Sequence, residues 1–192
     1  MPSKSPNSEF WKTLRRLKPE KRKTKLEPRP ASALPWLGAA QAHDTKLLYD
    51  TTVYVDILQG RFPSNNELDL RIADAWHSTV TESELSAACG LLNPLHPGTR
   101  AAMEGISEVI DRRPSHRTIA PDREIWQAAG IMAGLLARLQ QYAAADRRRI
   151  LNDALLLATA RKHGLTVLTR NVADFDFLQQ LDPAAKVLFY RV

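Results

Sequence analysis

Four acidic residues stand where a predicted strand passes into a helix, or where a helix begins. Asp50 ends the apolar run 46–50, and Glu84 lies one turn after the β-branched run 77–80. Asp153 stands at the start of an apolar helical segment, and Asp174 follows the apolar run 165–169. In parallel sheets, binding sites form beyond the carboxyl ends of the strands. We therefore expect these four side chains to converge at one edge of a sheet.

Convergence of this kind limits the chemistry that the site can perform. Carboxylates repel each other by about 4 kcal/mol for each close pair at an effective dielectric of about 20. The cluster therefore persists only if protons or a divalent cation neutralise it. An oxygen-only ligand set suits Mg²⁺ or Mn²⁺ better than Zn²⁺. Such an ion can activate water and stabilise charge on a phosphate during an in-line displacement.

Helix capping offers another interpretation of each acid. Glu84 has the spacing of a capping box. Asp153 is favourable at a helix N-terminus with Asn152 as the cap, and Asp174 can cap the short helix that follows it. Asp50 is less readily explained as a cap alone, because it closes an apolar strand. Capping is the commoner role for any one acid, whereas the four together favour a metal site.

The segments around these acids alternate between short apolar runs and longer amphipathic runs. The short runs predict strands at 46–50, 77–80, 117–120, 165–169 and 186–190. The longer runs predict helices at 51–60, 65–75, 81–92, 96–114, 121–141 and 152–163, with a short helix or turn at 171–181. Strands separated by such helices need crossover connections. The expected fold class is α/β, with three layers (α/β/α) and a central, mainly parallel sheet of about five strands.

Residues 1–45 differ in composition from the rest of the chain. Six prolines in residues 1–36 exclude a continuous helix or strand, although a short helix capped by Ser8 is predicted. Residues 1–30 contain ten Lys or Arg and three Glu, so they carry the whole excess of a chain whose net charge is +6. We expect 1–45 to be a basic, Pro-rich, flexible extension and 46–192 to be one domain. Such an arm favours a polyanionic partner, while a solvated tail without a partner explains it equally well.

Composition also excludes several classes of protein. No apolar run of 18 residues occurs, so no membrane span is expected. The single Cys89 cannot form an internal disulfide, which favours a reducing cytoplasm. The chain has neither a paired-histidine metal motif nor a glycine-rich nucleotide loop.

Three segments resemble the PIN domain family, ribonucleases that include the toxins of many bacterial toxin–antitoxin pairs. In chain order they are LLYDTTVYVD, STVTESEL and LNDALLLATARKHGLTVLTRNVADF. The last is the most specific, since it joins Asp-Ala, a Gly-closed helix, an apolar strand and Thr-Arg-Asn followed by Asp-Phe. The resemblance implies a PIN-like fold with an acidic pocket for Mg²⁺ or Mn²⁺. The implied metal-binding and catalytic acids are Asp50, Glu84, Asp153 and Asp174.

The resemblance also implies supporting residues and partners. Thr51 and Thr169 fall where small hydroxyl residues support the pocket, and Asn171 is a supporting or substrate-facing group. The implied substrate is RNA, single-stranded or structured. A cognate antitoxin protein and a homodimer are the implied protein partners.

Other charged residues extend or compete with this site. Arg170 is predicted to contact phosphate, and Arg147 and Arg148 are predicted to bind the RNA backbone, although an exposed helix face explains these two equally well. Asp176 is an alternative metal ligand. Asp56 is predicted to be a solvated helix residue.

The leading hypothesis is a metal-dependent endoribonuclease that is the toxin of a toxin–antitoxin pair. The extension before residue 46 departs from the usual toxin, which starts almost at its first strand. This departure motivates an alternative, a nucleic-acid-binding PIN-like protein with a vestigial nuclease site. Phosphoryl hydrolysis by an Asp50 nucleophile fits poorly, because the second Asp expected two positions later is Thr52.

Overall fold

The computed structural model describes residues 8–38, 45–63 and 75–192. Its strands are β1 (Leu47–Tyr49), β2 (His77–Ser78), β3 (Thr118–Ile119), β4 (Thr166–Thr169) and β5 (Lys186–Phe189). Its helices are α1 (Glu9–Leu17), α2 (Thr51–Leu58), α3 (Thr79–Leu91), α4 (Thr99–Asp111), α5 (Arg123–Gln140), α6 (Arg147–His163) and α7 (Val172–Leu181). Short 3₁₀ turns lie at Ala31–Ala33, Ser115–Arg117 and Ala144–Asp146.

The five described strands run parallel in the order β3-β2-β1-β4-β5. Strand β4 pairs with β1 and β5, and β2 pairs with β3. Backbone bonds from Trp76 N to Leu47 O (2.8 Å) and from Tyr49 N to Trp76 O (3.1 Å) join the two groups. After β1 the chain forms β2 on one side of β1, and it later forms β4 on the other side. A ligand crevice is expected at the carboxyl ends of β1 and β4, where the strand order switches.

Alternation along the strands gives the sheet two apolar faces. Leu48 and Val167 belong to one core cluster, together with residues of α5, α6 and α7. Leu47 and Leu168, their neighbours in sequence, belong to the other cluster, with residues of α2, α3 and α4. Successive strand residues point to opposite faces, so helices must cover both. The expected three-layer α/β/α fold is confirmed.

Several element boundaries differ from the prediction, and two of them lie near the predicted acids. The predicted strand 77–80 ends at Ser78, because Ser78 caps α3 and the helix begins at Thr79. Helix α6 begins at Arg147, five residues before the predicted start at Asn152. The predicted helix 65–75 lies almost wholly outside the described residues.

The described part of the extension lies against the domain. The predicted helix capped by Ser8 is present as α1, and its Leu17 is completely buried in the core formed by α5 and α6. Trp36 forms an isolated parallel β-bridge with Phe189, the last residue of β5. The boundary at residue 45 stays a prediction, but residues 8–38 are packed because their apolar side chains have a helical face to bury against. No helix in the described ranges is long and apolar enough to cross a membrane.

Candidate active site

Asp50 lies at the carboxyl end of β1 and caps α2. Its carboxylate accepts hydrogen bonds from Thr51 N and from the hydroxyls of Thr52 and Thr169, each at 2.7 Å. Asp50 is therefore a helix cap, a role that its place at the end of an apolar strand did not indicate. Burial raises the pKa of this carboxyl, although these hydrogen bonds oppose the rise. Burial thus makes the ionised form of Asp50 less favourable than that of an exposed carboxyl.

Glu84 lies on α3 and is held by two donors. The Thr51 hydroxyl donates to one carboxylate oxygen, and Asn152 Nδ2 donates to the other at 2.8 Å. The capping-box interpretation of Glu84 is wrong, because Ser78 caps α3 by accepting from Val80 N at 3.2 Å. Burial raises the pKa of Glu84, and the negative charge of Asp50 adds to the rise.

Asp153 lies in the second turn of α6, inside the helix rather than at its start. The alternative that Asn152 caps the helix and Asp153 lies in its first turn is therefore wrong, because α6 already begins at Arg147. Asp153 is 6% exposed, and the pKa of its carboxyl is raised well above the usual value. Burial is the main cause, followed by the negative charges of Asp50 and Glu84. This mutual influence means that three predicted acids, one capping a helix and two within other helices, are neighbours in space.

Asp174 joins the cluster through Asn171. Asn171 Nδ2 donates to Asp174 at 3.0 Å and to Asp153 at 3.1 Å. The cap of α7 is Asn171, which accepts from Asp174 N at 3.3 Å, so the capping interpretation of Asp174 is wrong. The carboxylate of Asp174 also accepts from Tyr142 Oη at 3.2 Å and forms an ion pair with Arg149.

Neutral and cationic side chains donate hydrogen bonds to these carboxylates. Among the described residues, no group of three or more His, Cys, Asp or Glu side chains is arranged to hold a metal ion as it stands. Thr51, Asn152 and Asn171 each lie within hydrogen-bonding distance of an acid, and Arg149 occupies an oxygen of Asp174. The donor set itself is four carboxyl groups in mostly buried surroundings. Its chemistry fits Mg²⁺ or Mn²⁺, which take oxygen ligands.

The predicted supporting residues contact the acids. Thr169 donates to Asp50, Thr51 donates to Glu84, and Asn171 bridges Asp153 and Asp174. Sequence reasoning missed Thr52, Tyr142 and Arg149 as partners of the acids. Arg149 could have been found, because it precedes Asp153 by four residues and shares its helix face. Tyr142 lies between two helices and carried no such signal. For Thr52, the sequence indicated only that the second Asp of an aspartyl nucleophile is missing.

Two neighbouring acids have partners outside the cluster, and the prediction that Asp56 is solvated is wrong. Asp56 is completely buried rather than solvated, and it accepts from Arg170 Nε at 2.7 Å and Tyr190 Oη at 2.7 Å. Asp176 does not join the acidic cluster, because its carboxylate accepts hydrogen bonds from Arg29 N at 2.8 Å and Arg29 Nε at 2.5 Å. Both acids neutralise arginines elsewhere, which removes them from the set of candidate ligands.

The predicted RNA-binding residues differ in their surroundings. The guanidinium of Arg170 is already paired with Asp56 through Nε and Nη2. Arg147 and Arg148 are exposed at the start of α6, and the charge of Arg148 acts to lower the pKa of Glu84. RNA binding by these three residues stays a prediction.

Comparison with known proteins agrees with the geometry. Residues 47–177 match the PIN domain family. No curated protein matches the chain. Among solved structures, FitAB bound to an IR36 DNA fragment is 19% identical, with a TM-score of 0.51 over 75% of this chain and 94% of that one.

Two further solved structures come from named bacteria. VapBC2 from Rickettsia felis, bound to a DNA fragment from its promoter, is 14% identical, with a TM-score of 0.55 over 77% of this chain and 100% of that one. FitAcB from Neisseria gonorrhoeae is 25% identical, with a TM-score of 0.49 over 74% of this chain and 96% of that one. Because the family match spans more than half of the sequence, the chain belongs to the PIN domain family.

Proposed function

We propose that this chain is an endoribonuclease that depends on Mg²⁺ or Mn²⁺ and is the toxin of a toxin–antitoxin pair. PIN domains are generally nucleases, and PIN nucleases generally use divalent metal ions. The observation that carries the proposal is the convergence of the four acids. Thr51 donates to both Asp50 and Glu84, and Asn171 donates to both Asp153 and Asp174. A buried set of like charges requires a counter-charge, which a divalent cation supplies.

Each acid has a role in this proposal. Asp50, Asp153 and Asp174 would hold the ion, and Glu84 would complete the set directly or through water. A bound ion would lower the pKa of water and stabilise charge on the scissile phosphate. Thr169 fixes Asp50 and Asn152 fixes Glu84, so these two carboxylates keep their positions as substrate enters.

Basic residues beside the acids suit an RNA substrate. Arg147 and Arg148 are exposed on the first turn of α6, the helix that carries Asp153. They can contact phosphates of single-stranded or structured RNA without disturbing an existing ion pair. Arg170 would have to contact phosphate with its remaining N–H groups while it is held by Asp56.

A cognate antitoxin is the proposed protein partner, with dimerisation of the PIN domain and a cytoplasmic location. The resemblance to toxins and the fold shared with VapBC2, which was solved with promoter DNA, support this assignment. The alternative, a binding protein with a vestigial site, depends on the basic extension. Arg16 and Arg29 of that extension pair with Asp182 and Asp176, so part of its charge is already neutralised within the chain.

Asp153→Asn tests the proposal most directly. The amide keeps the shape of the side chain but removes one negative ligand, so we expect RNA cleavage to fall by at least about 100-fold. The measurement is the cleavage rate of a fluorescent single-stranded RNA with Mg²⁺ or Mn²⁺, compared with EDTA. Thermal unfolding in EDTA should show equal or higher stability for the variant, since repulsion is relieved.

Asp111→Asn is the matched control, because Asp111 is exposed on α4 and outside the acid cluster. It should cleave RNA at the unmodified rate. Full cleavage by Asp153→Asn, or cleavage by the unmodified chain that EDTA does not stop, would contradict the proposal.

A further inference from the structure

The packed extension forms a basic surface together with α5 and α6. One cleft of about 300 Å³ lies between the extension and the end of α5; it is lined by Lys23, Lys25, Arg138, Leu139, Gln140 and Gln141. A second cleft of about 470 Å³ lies between α5 and α6; it is lined by Gly130, Ala133, Gly134, Ala137, Arg138, Arg147 and Leu151. Arg138 lines both clefts, so they adjoin. We call Lys23, Lys25, Arg138 and Arg147 the basic track.

Hydrogen bonds hold the segment that carries Lys23 and Lys25 against the domain. On one side of them, Arg138 Nη2 donates to Pro19 O at 3.0 Å. On the other side, Gln140 Nε2 donates to Leu26 O at 3.0 Å, and Arg29 pairs with Asp176. Lys23 and Lys25 therefore extend from a segment that is fixed at both ends.

The charge of the basic track is available to a partner. All four side chains are exposed, and in the described part of the chain none of them forms a salt bridge. No acidic residue is among those that line the two clefts. Arg16 and Arg29 of the same extension, by contrast, are paired with buried carboxylates. The extension thus has one group of arginines that fasten it to the domain and another group of cations that face solvent.

The basic track continues into the candidate active site. Arg147 is the first residue of α6, and Arg148 and Arg149 follow it on the helix. Arg148 acts electrostatically on Glu84, and Arg149 pairs with Asp174. A polyanion that follows the track from the extension would therefore arrive at the carboxylates.

The shape of the clefts favours one class of polyanion. The residues of α5 that line the second cleft, apart from Arg138, are uncharged and small: Gly130, Ala133, Gly134 and Ala137. Nothing lies within 4 Å of a Cβ built on Gly130 or Gly134. Cations spread over two adjoining clefts suit a charged polymer better than a small anion. Proteins that bind single strands use a basic groove of this kind to follow the backbone. The flexible backbone of a single strand can therefore enter both clefts in turn.

We propose that the basic track binds the sugar–phosphate backbone of single-stranded RNA and leads it to the carboxylates, an inference that rests on the proposed function. Each cation that contacts a phosphate releases counterions when RNA binds. Binding should therefore weaken as salt rises, in proportion to the number of contacts. The role of the track is substrate capture, which is separable from hydrolysis.

The test measures binding of a fluorescent 30-nucleotide single-stranded RNA by anisotropy, in EDTA and over a series of KCl concentrations. The triple variant Lys23→Gln, Lys25→Gln, Arg138→Gln should lower the slope of log affinity against log salt by about 2, because each contact to a single strand contributes roughly 0.7. At low salt its affinity should fall at least tenfold. The matched control is Arg100→Gln, Arg112→Gln, Lys186→Gln, which removes the same charge from exposed positions at the two ends of α4 and at the amino end of β5.

Cleavage of a tetranucleotide in Mg²⁺ separates this inference from the proposed function. The matched control should cleave the tetranucleotide and the long RNA at the unmodified rates, while the triple variant cleaves the long RNA more slowly at limiting concentration and loses less on the tetranucleotide. Equal salt slopes for the triple variant and the control would overturn the track and leave the nuclease intact. Failure of the unmodified chain to cleave any RNA would overturn the proposed function instead. Tighter binding of duplex DNA than of RNA, lost in the triple variant, would overturn the assignment to RNA.

Discussion

Asp56 is a buried carboxylate that is surrounded by donors from three parts of the chain. It accepts from Arg61 Nη2 at 2.9 Å, from Arg170 Nε at 2.7 Å and from Tyr190 Oη at 2.7 Å. These bonds connect α2 to the residues that follow β4 and β5. Arg170 N also donates to Thr52, whose hydroxyl donates to Asp50. Asp56 therefore supports the sheet edge on which the candidate active site lies.

Replacing Asp56 with Asn should destabilise the protein by roughly 2–3 kcal/mol, because two arginines lose a buried counter-charge. Burial raises the pKa of Asp56, but the hydrogen bonds from Arg170, Tyr190 and Arg61 outweigh it, so the pKa lies below its usual value. A depressed pKa in the folded state contributes stability above the unfolded pKa of about 3.9, and that contribution is lost as the pH falls through the folded value.

Urea unfolding at pH 7, 5 and 3.5 measures this effect. The difference between the unmodified chain and Asp56→Asn should be full at pH 7 and should shrink at pH 3.5. The exposed Asp111→Asn serves as the reference for removal of one carboxylate. A difference that stays constant with pH would show that the charge of Asp56 contributes nothing.

Residue spacing could have revealed the burial of Asp56. Val53 faces the core, and Asp56 lies three positions later on the same helix face. The prediction of a solvated residue did not use this spacing. Asp50, by contrast, is predicted as a site residue from its place at the end of an apolar strand. In a parallel fold, binding sites form beyond the carboxyl ends of the strands. Position in the pattern was the better guide for both.

At the scale of elements, the alternation of predicted strands and helices was enough to place the four acids at one sheet edge. The sequence did not reveal where α6 begins, because the run Arg147–Arg149 shows no apolar periodicity. The pattern therefore placed Asp153 at the start of the helix with Asn152 as the cap, although the helix starts a turn and a half earlier. Side-chain partners such as Tyr142 were also out of reach, since they depend on how two helices pack rather than on local spacing.

Asn171 links an element boundary to the acids. It caps α7 through its side-chain oxygen and bridges Asp153 and Asp174 through its side-chain nitrogen. Asn171→Ala should lose both functions, whereas Asn171→Ser keeps a capping oxygen and loses the bridge. We expect a loss of stability of about 1 kcal/mol for the Ala variant and less for the Ser variant.

Both Asn171 variants should cleave RNA roughly 10- to 100-fold more slowly, since carboxylates without their bridging donor hold a metal less well. Thermal unfolding and the rate of RNA cleavage measure the two effects separately. If Asn171→Ser keeps full activity, the bridge has no role in the reaction and Asn171 is only a cap.

At the scale of the whole molecule, the charge of the chain is divided between an extension and a nearly neutral body. Sequence alone favoured a flexible arm, since dense prolines and lysines cannot build a core by themselves. The described part of the extension instead packs its apolar side chains into a core that the domain already forms. Arg16 and Arg29 pair with Asp182 and Asp176, two carboxylates that are buried in the domain. Deleting the arm would leave both acids without these partners, so point substitutions are the better test of its role.

Leu17 distinguishes a packed extension from a flexible one. Its side chain is 0% exposed and lies in the core with residues of α5 and α6. Leu17→Ala should therefore reduce the free energy of unfolding by roughly 3 kcal/mol, the cost of a cavity in a well-packed core. In a flexible arm the same change would cost almost nothing. Phe10→Ala is the control on the same helix, because Phe10 is 41% exposed, and it should cost less than about 1 kcal/mol. Urea unfolding of the full chain at neutral pH compares the two, and equal stabilities would mean that α1 does not pack on the domain in solution.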